Sequence, residues 1–299
     1  RNDGQGRFED VAMELGVSEP VNSFPTWFWD YNNDGWLDIF VSSYNTNIAS
    51  IAADYFGLPG ADETMKLYLN DGAGGFTDAT DAAGLDHVRL SMGSNFGDLD
   101  NDGFQDFYLG TGAPGFDAIG PNVMYRNDGG KRFQDVTFSG GFGHLQKGHG
   151  ISFGDLDRDG DQDVFAQIGG FYPGDAFSNA LYENPGHGNR WLSIRLVGNG
   201  SNRAAIGARI AVDVDTPGGA RTIHALVGSG GSFGASSLEQ EVGLGDATTV
   251  RRLEIYWPAT DIQQVFNNVS MDVRIIIHEG HDEYQIIETQ PFKLGGGPR

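Results

Sequence analysis

The chain has 299 residues, enough for one large or two ordinary domains with a buried core. Its net charge is −22, with 41 acidic against 19 basic residues, which argues against partners such as nucleic acid or an anionic membrane surface. The absence of cysteine excludes thiol chemistry, disulfides and cysteine-ligated zinc. The 46 glycines and 20 phenylalanines favour short strands joined by tight turns, and no apolar run reaches the roughly 18 residues of a membrane-spanning helix.

The chain opens at residues 1–11 on Asn-Asp-Gly followed by an apolar position, which is the second half of a hairpin that recurs later in the sequence. The first strand of that hairpin is missing. A sheet that began here would have an open edge. We therefore expect residues upstream of the chain, or a neighbouring molecule, to supply the missing strand.

An acidic nine-residue motif, Asp-x-(Asp/Asn)-x-Asp-Gly-x-x-Asp, occurs at residues 30–38, 98–106 and 155–163. Crowded carboxylates repel one another, and a hard cation such as Ca²⁺, which takes several oxygen ligands, removes that repulsion. Glycine at position 6 permits the sharp turn. The predicted ligands are the side chains at positions 1, 3, 5 and 9 and the carbonyl at position 7: Asp30, Asn32, Asp34, Trp36 and Asp38; Asp98, Asp100, Asp102, Phe104 and Asp106; Asp155, Asp157, Asp159, Asp161 and Asp163.

The motif is not an EF-hand, which needs a bidentate Glu at position 12 and flanking helices. Position 12 is Val41, Leu109 or Ala166, and apolar β-prone residues follow each loop, so each loop is expected to lead into a strand. The alternative is an acidic turn without metal. Three copies at matching places in a repeat favour three calcium sites. Because loops of this type in extracellular modules bind at levels that cytosolic calcium does not reach, we expect a secreted or cell-surface protein.

A hairpin motif alternates with the acidic one. Asn-Asp-Gly lies between apolar stretches at residues 70–72 and 127–129, and a decayed copy begins at Asn184. The three asparagines are 57 residues apart, and Asn127 and Asn184 each lie 29 residues after the first aspartate of the preceding loop. The first unit carries about 11 extra residues within residues 42–66, which we expect to form an exposed excursion.

A period of this length with four short strands fits a β-propeller blade, with a calcium loop between two strands. Three units fall short of a closed ring of four to eight blades, so they are expected to be part of a larger or shared propeller. A three-unit β-solenoid is the alternative. Beyond the repeats, residues 191–197 and 209–214 alternate with a period of two, which predicts a small β-sandwich or barrel. Glycines near the end predict a flexible tail.

The segments Phe96-Gly97-Asp98 and Phe153-Gly154-Asp155, with the loops that follow, resemble the FG-GAP/VCBS calcium-binding repeats of integrin-type propellers. In the first unit Trp29 occupies the place of the glycine, so we expect this loop to differ most in geometry. The segment from about residue 189 to 280 resembles the ASPIC/UnbV domain. The matching residues are Asn189-Arg190-Trp191-Leu192, Ser201-Asn202-Arg203, Ile206-Gly207-Ala208-Arg209, Gly228-Ser229-Gly230, Gly243-Leu244-Gly245 and Ile255-Tyr256-Trp257-Pro258.

Together the resemblances imply an all-β protein similar to the C-terminal part of bacterial proteins of the cartilage-acidic-protein type. The expected domains are the blades at 1–185, the ASPIC/UnbV-like domain at 186–285 and a tail at 286–299. We expect a non-enzymatic, calcium-stabilised structural or adhesion module that binds another protein or a carbohydrate, without membrane insertion. The alternatives are a subunit of a self-assembling extracellular filament and a propeller-type polysaccharide hydrolase or lyase. The segment at 227–232 resembles a Gly-x-Ser-x-Gly nucleophile elbow only superficially, since no α/β context surrounds it.

Overall fold

The computed structural model describes residues 1–44, 47–60, 62–116 and 119–295. The fold is all-β, with three antiparallel sheets in the first part of the chain and two four-stranded sheets in the second. Each of the first three sheets contains strands that are consecutive in the sequence and hydrogen-bonded to their sequence neighbours. This is the arrangement of a propeller-type blade, so the prediction of blades followed by a second β domain is confirmed and the solenoid is excluded.

The blades follow the repeat closely. The first contains β1 (Ser23–Trp29), β2 (Asp38–Ser43), β3 (Lys66–Asn70) and β4 (Phe76–Asp78), with the short helix α1 (Ala12–Leu15) before β1 and α2 (Ile48–Tyr55) between β2 and β3. The second contains β5 (Ser91–Gly97), β6 (Asp106–Thr111), β7 (Val123–Asn127) and β8 (Phe133–Asp135), and the third contains β9 (Gly148–Gly154), β10 (Asp163–Ile168) and β11 (Ala180–Tyr182). The acidic loops join β1 to β2, β5 to β6 and β9 to β10. In the third blade Pro185 follows the hairpin asparagine, and proline cannot donate a ladder hydrogen bond.

Aromatic side chains fill the space between the first two blades. Trp27, Phe40 and Phe107 belong to one buried cluster, in which Trp27 stacks on Phe40 with 4.4 Å between ring centroids. Trp29 stands where the other blades have glycine. It is buried, and its ring lies parallel to that of Phe133 at 5.7 Å. The large Trp29 side chain at the entry to the first loop therefore packs into the core between the blades.

The extra residues of the first unit form α2. Two of its side chains, Ile48 and Ile51, pack against a small cluster that includes Leu90. Near its C-terminal end the Asp54 carboxylate accepts a 2.7 Å hydrogen bond from the buried Arg89 guanidinium. The part of this segment that the structure describes is thus a helix held against the blades, although none of its residues is fully buried. No described helix is both long and apolar enough to cross a membrane.

The second part of the chain is a β-sandwich. One sheet, in the order β15-β12-β18-β19, contains β12 (Arg190–Val197), β15 (Gln240–Gly245), β18 (Val273–His278) and β19 (Tyr284–Ile287). The other, in the order β14-β13-β16-β17, contains β13 (Arg209–Thr216), β14 (Gly219–Leu226), β16 (Thr249–Trp257) and β17 (Ile262–Val269). Buried side chains from both sheets, including Leu192, Ile210, Leu253 and Trp257, form one core.

The end of the chain is attached to the body over part of its length. β19 extends to Ile287, two residues into the segment predicted as a tail. Further on, the Phe292 N–H donates a 2.9 Å hydrogen bond to the Asp157 carbonyl, and the Arg158 guanidinium lies 6.0 Å from the centroid of the Phe292 ring. The described part of the predicted tail therefore contacts the third acidic loop.

The sandwich lies on the innermost strands of the blades. Between β14 and β15, Ser232 exchanges two 2.8 Å backbone hydrogen bonds with Ser94 on β5. Gly234 lies so close to β9 that an added Cβ would be 1.9 Å from the Ile151 carbonyl oxygen. These contacts place the connection between β14 and β15 on the inner strands β5 and β9 of the second and third blades.

We expect Gly97→Ala to lower the free energy of unfolding by about 1–3 kcal/mol, because a Cβ there would lie 2.1 Å from Gln162 Oε1 and 2.6 Å from the buried Phe153 ring. Gly154 occupies the same repeat position in the next blade, where an added Cβ meets nothing within 4 Å. Gly154→Ala is therefore the matched control. Chemical denaturation of both variants in saturating calcium measures the difference. Equal midpoints would contradict the close packing of these two blades.

Candidate metal centres

The three acidic loops share one backbone conformation. Position 4 has a positive φ in each, which is uncommon outside glycine, and position 6 is a glycine with φ near +90°. These residues are Asn33 (φ 56°), Asn101 (φ 53°) and Arg158 (φ 66°), followed by Gly35 (φ 87°), Gly103 (φ 92°) and Gly160 (φ 97°). Two left-handed residues so close together fold the chain into a tight turn.

The aspartate at position 1 closes each loop. In the second loop, Asp98 Oδ1 accepts a 3.1 Å hydrogen bond from the Asp102 N–H, and its Oδ2 accepts a 2.8 Å bond from the Gly103 N–H. Asp30 and Asp155 accept the corresponding pairs of bonds in the other two loops. The conformation is therefore fixed by a carboxylate that bonds backbone donors of its own loop.

The aspartate at position 9 joins each loop to the hairpin that follows it. In the second loop, Asp106 Oδ2 accepts a 2.8 Å bond from the Leu99 N–H, and Oδ1 accepts a 2.7 Å bond from the Asn127 N–H. Asp38 and Asp163 make the same pair of bonds in their units, through the N–H groups of Asn70 and Asn184. The hairpin asparagines, which the sequence identified only as turn residues, thus support the site, and their 29-residue spacing from the loops was the signal.

Two loops bring three carboxylates together. Oxygens of Asp98, Asp100 and Asp106 lie within 4.8 Å of one another in the second loop. In the third loop the trio is Asp155, Asp157 and Asp159, at positions 1, 3 and 5 instead of 1, 3 and 9. Asp102 and Asp163 fall outside these two groups. The first loop provides no such trio among the residues that the structure describes, because Asn32 replaces the acid at position 3.

In the first loop the Asn32 amide donates a 2.9 Å hydrogen bond to Asp34 Oδ2. At position 7 the predicted ligand is the backbone carbonyl. The side chain of Asp161, at this position in the third loop, accepts a 2.7 Å hydrogen bond from Asn101 Nδ2. The carbonyls of Trp36, Phe104 and Asp161 remain predicted ligands.

The aspartates at position 3 provide the best test of whether a cation fits the acidic loops. Asp100 and Asp157 are at least nine-tenths buried, and Oδ1 of each has no hydrogen-bond partner. A buried acceptor without a donor costs about 1–3 kcal/mol, and more when it is charged. Both aspartates belong to the carboxylate trios described above. The donor set is all oxygen, which suits Ca²⁺, so the residues present fit a calcium ion.

Burial shifts the titration of these groups in the metal-free protein. Desolvation raises the pKa of Asp30 to about 6 and that of Asp38 to about 7. The pKa values of Asp98 and Asp106 rise well above the ordinary value, through burial and then through the neighbouring carboxylates. Burial also raises the pKa of Asp155 to about 6. Without a cation, the folded loops therefore disfavour the ionised carboxylates.

Hydrogen bonds also join each loop to the next. The Asn33 amide donates to the Gly103 carbonyl, and Asn101 Nδ2 donates to the Gly160 carbonyl at 3.0 Å. The hairpin asparagines make a second set of links, in which Asn127 Nδ2 donates to the Tyr31 carbonyl at 2.8 Å and Asn184 Nδ2 donates to the Leu99 carbonyl at 2.7 Å. The three loops thus form one continuous row.

Sequence reasoning missed two polar side chains that support this row. Gln162 Oε1 accepts a 3.0 Å bond from the Asp98 N–H, and Glu241 Oε1, from the sandwich, accepts a 3.0 Å bond from the Asp155 N–H. Burial raises the pKa of Glu241 to about 7. No local pattern marks either residue, because each acts on a different unit of the chain.

Family comparisons agree with this geometry. Residues 30–109 match the model of the FG-GAP-like repeat, and residues 198–283 match that of the ASPIC and UnbV domain. The chain carries FG-GAP-like repeats followed by an ASPIC/UnbV domain. The first match includes two of the acidic loops, and the third loop, outside it, repeats their hydrogen bonds. No curated protein matches the chain significantly.

We expect the stability of the metal-free protein to fall as the pH rises. The unfolded-state pKa of aspartate is about 4, whereas in the folded state Asp30, Asp38 and Asp155 have pKa values of about 6 to 7. The folded state therefore binds more protons between these values, and its stabilisation is lost as the pH passes through the folded pKa. In chelator, the melting temperature should decrease from about pH 5 to about pH 8.

Saturating calcium should abolish or reverse this trend, because a bound cation favours the ionised carboxylates. Thermal melts at matched ionic strength, with chelator or with calcium, make the comparison. A metal-free melting temperature that rises over the same interval would show that these carboxylates are not the desolvated groups described above.

Proposed function

We propose that this propeller-type module binds three calcium ions in its acidic loops and acts outside the cell as a rigid, non-enzymatic scaffold that holds another protein or a carbohydrate. The observation that carries the proposal is the burial of Asp100 Oδ1 and Asp157 Oδ1 without a partner beside two further carboxylates. A calcium ion supplies the missing partner. It binds the native state alone, so it stabilises the fold by about 2.7 kcal/mol per site at a hundredfold excess over Kd.

The proposed role of the metal is structural. The side chains of the loops also bond to the hairpins and to one another, so an ion that fixes one loop restrains the row of loops and the inner strands that they join. Loops of this type in extracellular modules bind calcium at levels of about 0.1–1 mM, which is the basis for placing the protein outside the cell. Each ion would also neutralise part of the net charge of −22.

We expect Asp100→Asn and Asp157→Asn each to weaken one calcium site, because an amide keeps an oxygen at position 3 but not the negative charge, as Asn32 does in the first loop. Calorimetric titration of the wild type should give three ions per chain, and each variant should bind one of the three with a higher Kd. At a calcium concentration that saturates the wild type but not the weakened site, the melting temperature should fall by several degrees, because up to about 2.7 kcal/mol of stabilisation by calcium is lost.

Asp81→Asn is the matched control, since it makes the same charge change at an exposed turn away from the loops. It should retain three sites and the wild-type melting temperature. Calorimetry that detects no calcium uptake by the wild type, together with melting temperatures equal in calcium and in chelator, would reject the proposed role of the metal.

A patch of exposed aromatic side chains provides a surface for the partner. Phe116, in the connection from β6 to β7, stacks on Tyr172, in the connection from β10 to β11, with ring centroids 5.6 Å apart. The Phe171 ring meets Tyr172 edge-on at 5.2 Å. Phe116, Phe171 and Tyr172 are 59 %, 78 % and 44 % exposed. Both connections lie at the opposite ends of their strands from the calcium loops, so the aromatic patch and the metal sites occupy opposite faces.

Clustered exposed aromatic rings mark interaction sites more often than scattered ones. The neutral character of the aromatic patch and the strong negative charge of the whole chain favour a neutral polysaccharide or a protein over an acidic polymer. A bound ion on one face could therefore hold the blades rigid while the other face engages the partner.

We expect Phe171→Ser to weaken retention on immobilised neutral polysaccharides by about tenfold, since loss of an exposed aromatic anchor costs roughly 1–2 kcal/mol. Phe8→Ser is the control, because Phe8 is equally exposed, at 80 %, but lies in the N-terminal hairpin. Light scattering of the same variants in calcium tests self-association. If Phe8 and Phe171 variants behave alike in both measurements, the aromatic patch is not the contact surface.

A further inference from the structure

The second acidic loop is held by the ASPIC/UnbV half of the chain. Three consecutive backbone carbonyls of this loop accept hydrogen bonds from that half. Asn189 Nδ2 donates to the Asp100 carbonyl at 2.6 Å, the Gly245 N–H donates to the Asn101 carbonyl at 2.7 Å, and Arg221 Nη2 donates to the Asp102 carbonyl at 2.6 Å. These are positions 3, 4 and 5, two of which carry predicted calcium ligands.

The backbone of β15 lies directly on the same loop. A Cβ at Gly243 would come within 2.1 Å of Asp98 Oδ2 and 2.5 Å of the Asn101 backbone, so no larger residue fits there. Burial at position 1 differs with this contact: Asp98 is 0 % exposed, whereas Asp30 and Asp155 are only partly buried. The Arg221 guanidinium also lies 5.7 Å from the centroid of the Phe104 ring, at position 7.

The other two loops make fewer hydrogen bonds to the sandwich, although Gly160 of the third loop packs closely against Trp191 on β12. In the first loop, the Asn33 side chain accepts a 2.9 Å bond from the His224 N–H. In the third, the Asp155 N–H donates to Glu241, and the Asp157 carbonyl accepts its bond from Phe292. Asp34 and Asp159, at position 5 of these loops, are exposed. Among the described residues, only the second loop has three successive carbonyls held by the sandwich half.

Hydrogen bonds to these carbonyls restrict the backbone that carries Asp100 and Asp102, so less conformational entropy remains to be lost when an ion binds. The Asp98 carboxylate under the contact with β15 is removed from water, and a divalent cation offsets that loss. We propose that the ASPIC/UnbV domain forms part of the second calcium site, with Arg221 and Asn189 as positioning residues, so that domain docking and ion binding at this loop stabilise each other.

This inference rests on the proposed calcium binding, and linkage makes it reciprocal. If docking tightens calcium at the second loop by a given factor, calcium strengthens docking by the same factor. The first and third loops should show much weaker coupling, because the sandwich does not hold their carbonyls in the same way.

The test uses the full chain and calcium alone, with hydrogen exchange at peptides from each loop followed against free calcium. We expect Arg221→Ala to raise the calcium midpoint of residues 98–106 by about tenfold, the range for loss of one charge-assisted hydrogen bond. The midpoints of residues 30–38 and 155–163 should change little. Arg221→Lys, which keeps a donor, should restore part of the affinity, and Asn189→Ala should act in the same direction as Arg221→Ala.

Arg251→Ala is the matched control. Arg251 on β16 pairs with Asp215 on β13 at 2.9 Å, both side chains are about half exposed, and removal of Arg251 should leave all three midpoints unchanged. In the reverse direction, Asp100→Asn at a calcium concentration that saturates the wild type but not the weakened site should increase hydrogen exchange in β14 and β15, whereas the core strands β12 and β16 stay protected.

Several outcomes would overturn the inference. One is that residues 98–106 of the Arg221→Ala variant keep the same calcium midpoint as in the wild type. Another is that the calcium midpoint rises equally at all three loops, which would indicate general destabilisation. The inference would also be overturned if hydrogen exchange in β15 stayed the same after a chelator had removed the calcium. Each of these results leaves the proposed function standing if the wild type binds three ions. Absence of calcium uptake by the wild type would instead reject the proposed function itself.

Discussion

The structure depends on how buried carboxylates are compensated. In each acidic loop the aspartates at positions 1 and 9 accept backbone N–H groups, which fix the turn and join it to the following hairpin. Those bonds compensate part of the desolvation. They leave the buried oxygens of Asp100 and Asp157 without a donor, next to carboxylates of the same sign. Either protonation or a bound cation removes the repulsion between these carboxylates. Only the cation does so while the carboxylates stay ionised.

The same bonds explain why two sequence motifs alternate along the chain. The acidic loop and the Asn-Asp-Gly hairpin are two parts of one unit, joined by the position-9 aspartate and the hairpin N–H. The asparagine amide then reaches the preceding loop, as Asn127 does with the Tyr31 carbonyl. Each unit therefore has a hydrogen-bonded interface with its neighbour, as in stacked repeats.

Local features of the molecule could be predicted from the sequence, and features that depend on distant residues could not. The loops, the strands after them and the repeat follow from nearby residues. The helix α2 has no strong sequence signal and is held by Arg89 and Leu90, from the next unit. The packing of Trp29 against Phe133 between the blades could not be predicted from its place before the first loop, since Phe133 lies about 100 residues away. The docking of the sandwich on the second loop joins residues more than 100 positions apart, as in the bond from Arg221 to Asp102, and no spacing rule marks it.

The glycine-rich segment between β14 and β15 shows how one sequence pattern can support two interpretations. Residues 227–232 resemble a nucleophile elbow in their letters. In the structure the glycines permit close backbone approach: a Cβ at Gly231 would lie 2.2 Å from the Ser94 carbonyl oxygen, and one at Gly234 would lie 1.9 Å from that of Ile151. These positions bring the sandwich onto the inner strands of the second and third blades. The small residues therefore serve the docking of two β domains, and the same docking places Arg221 and Gly243 against the second loop.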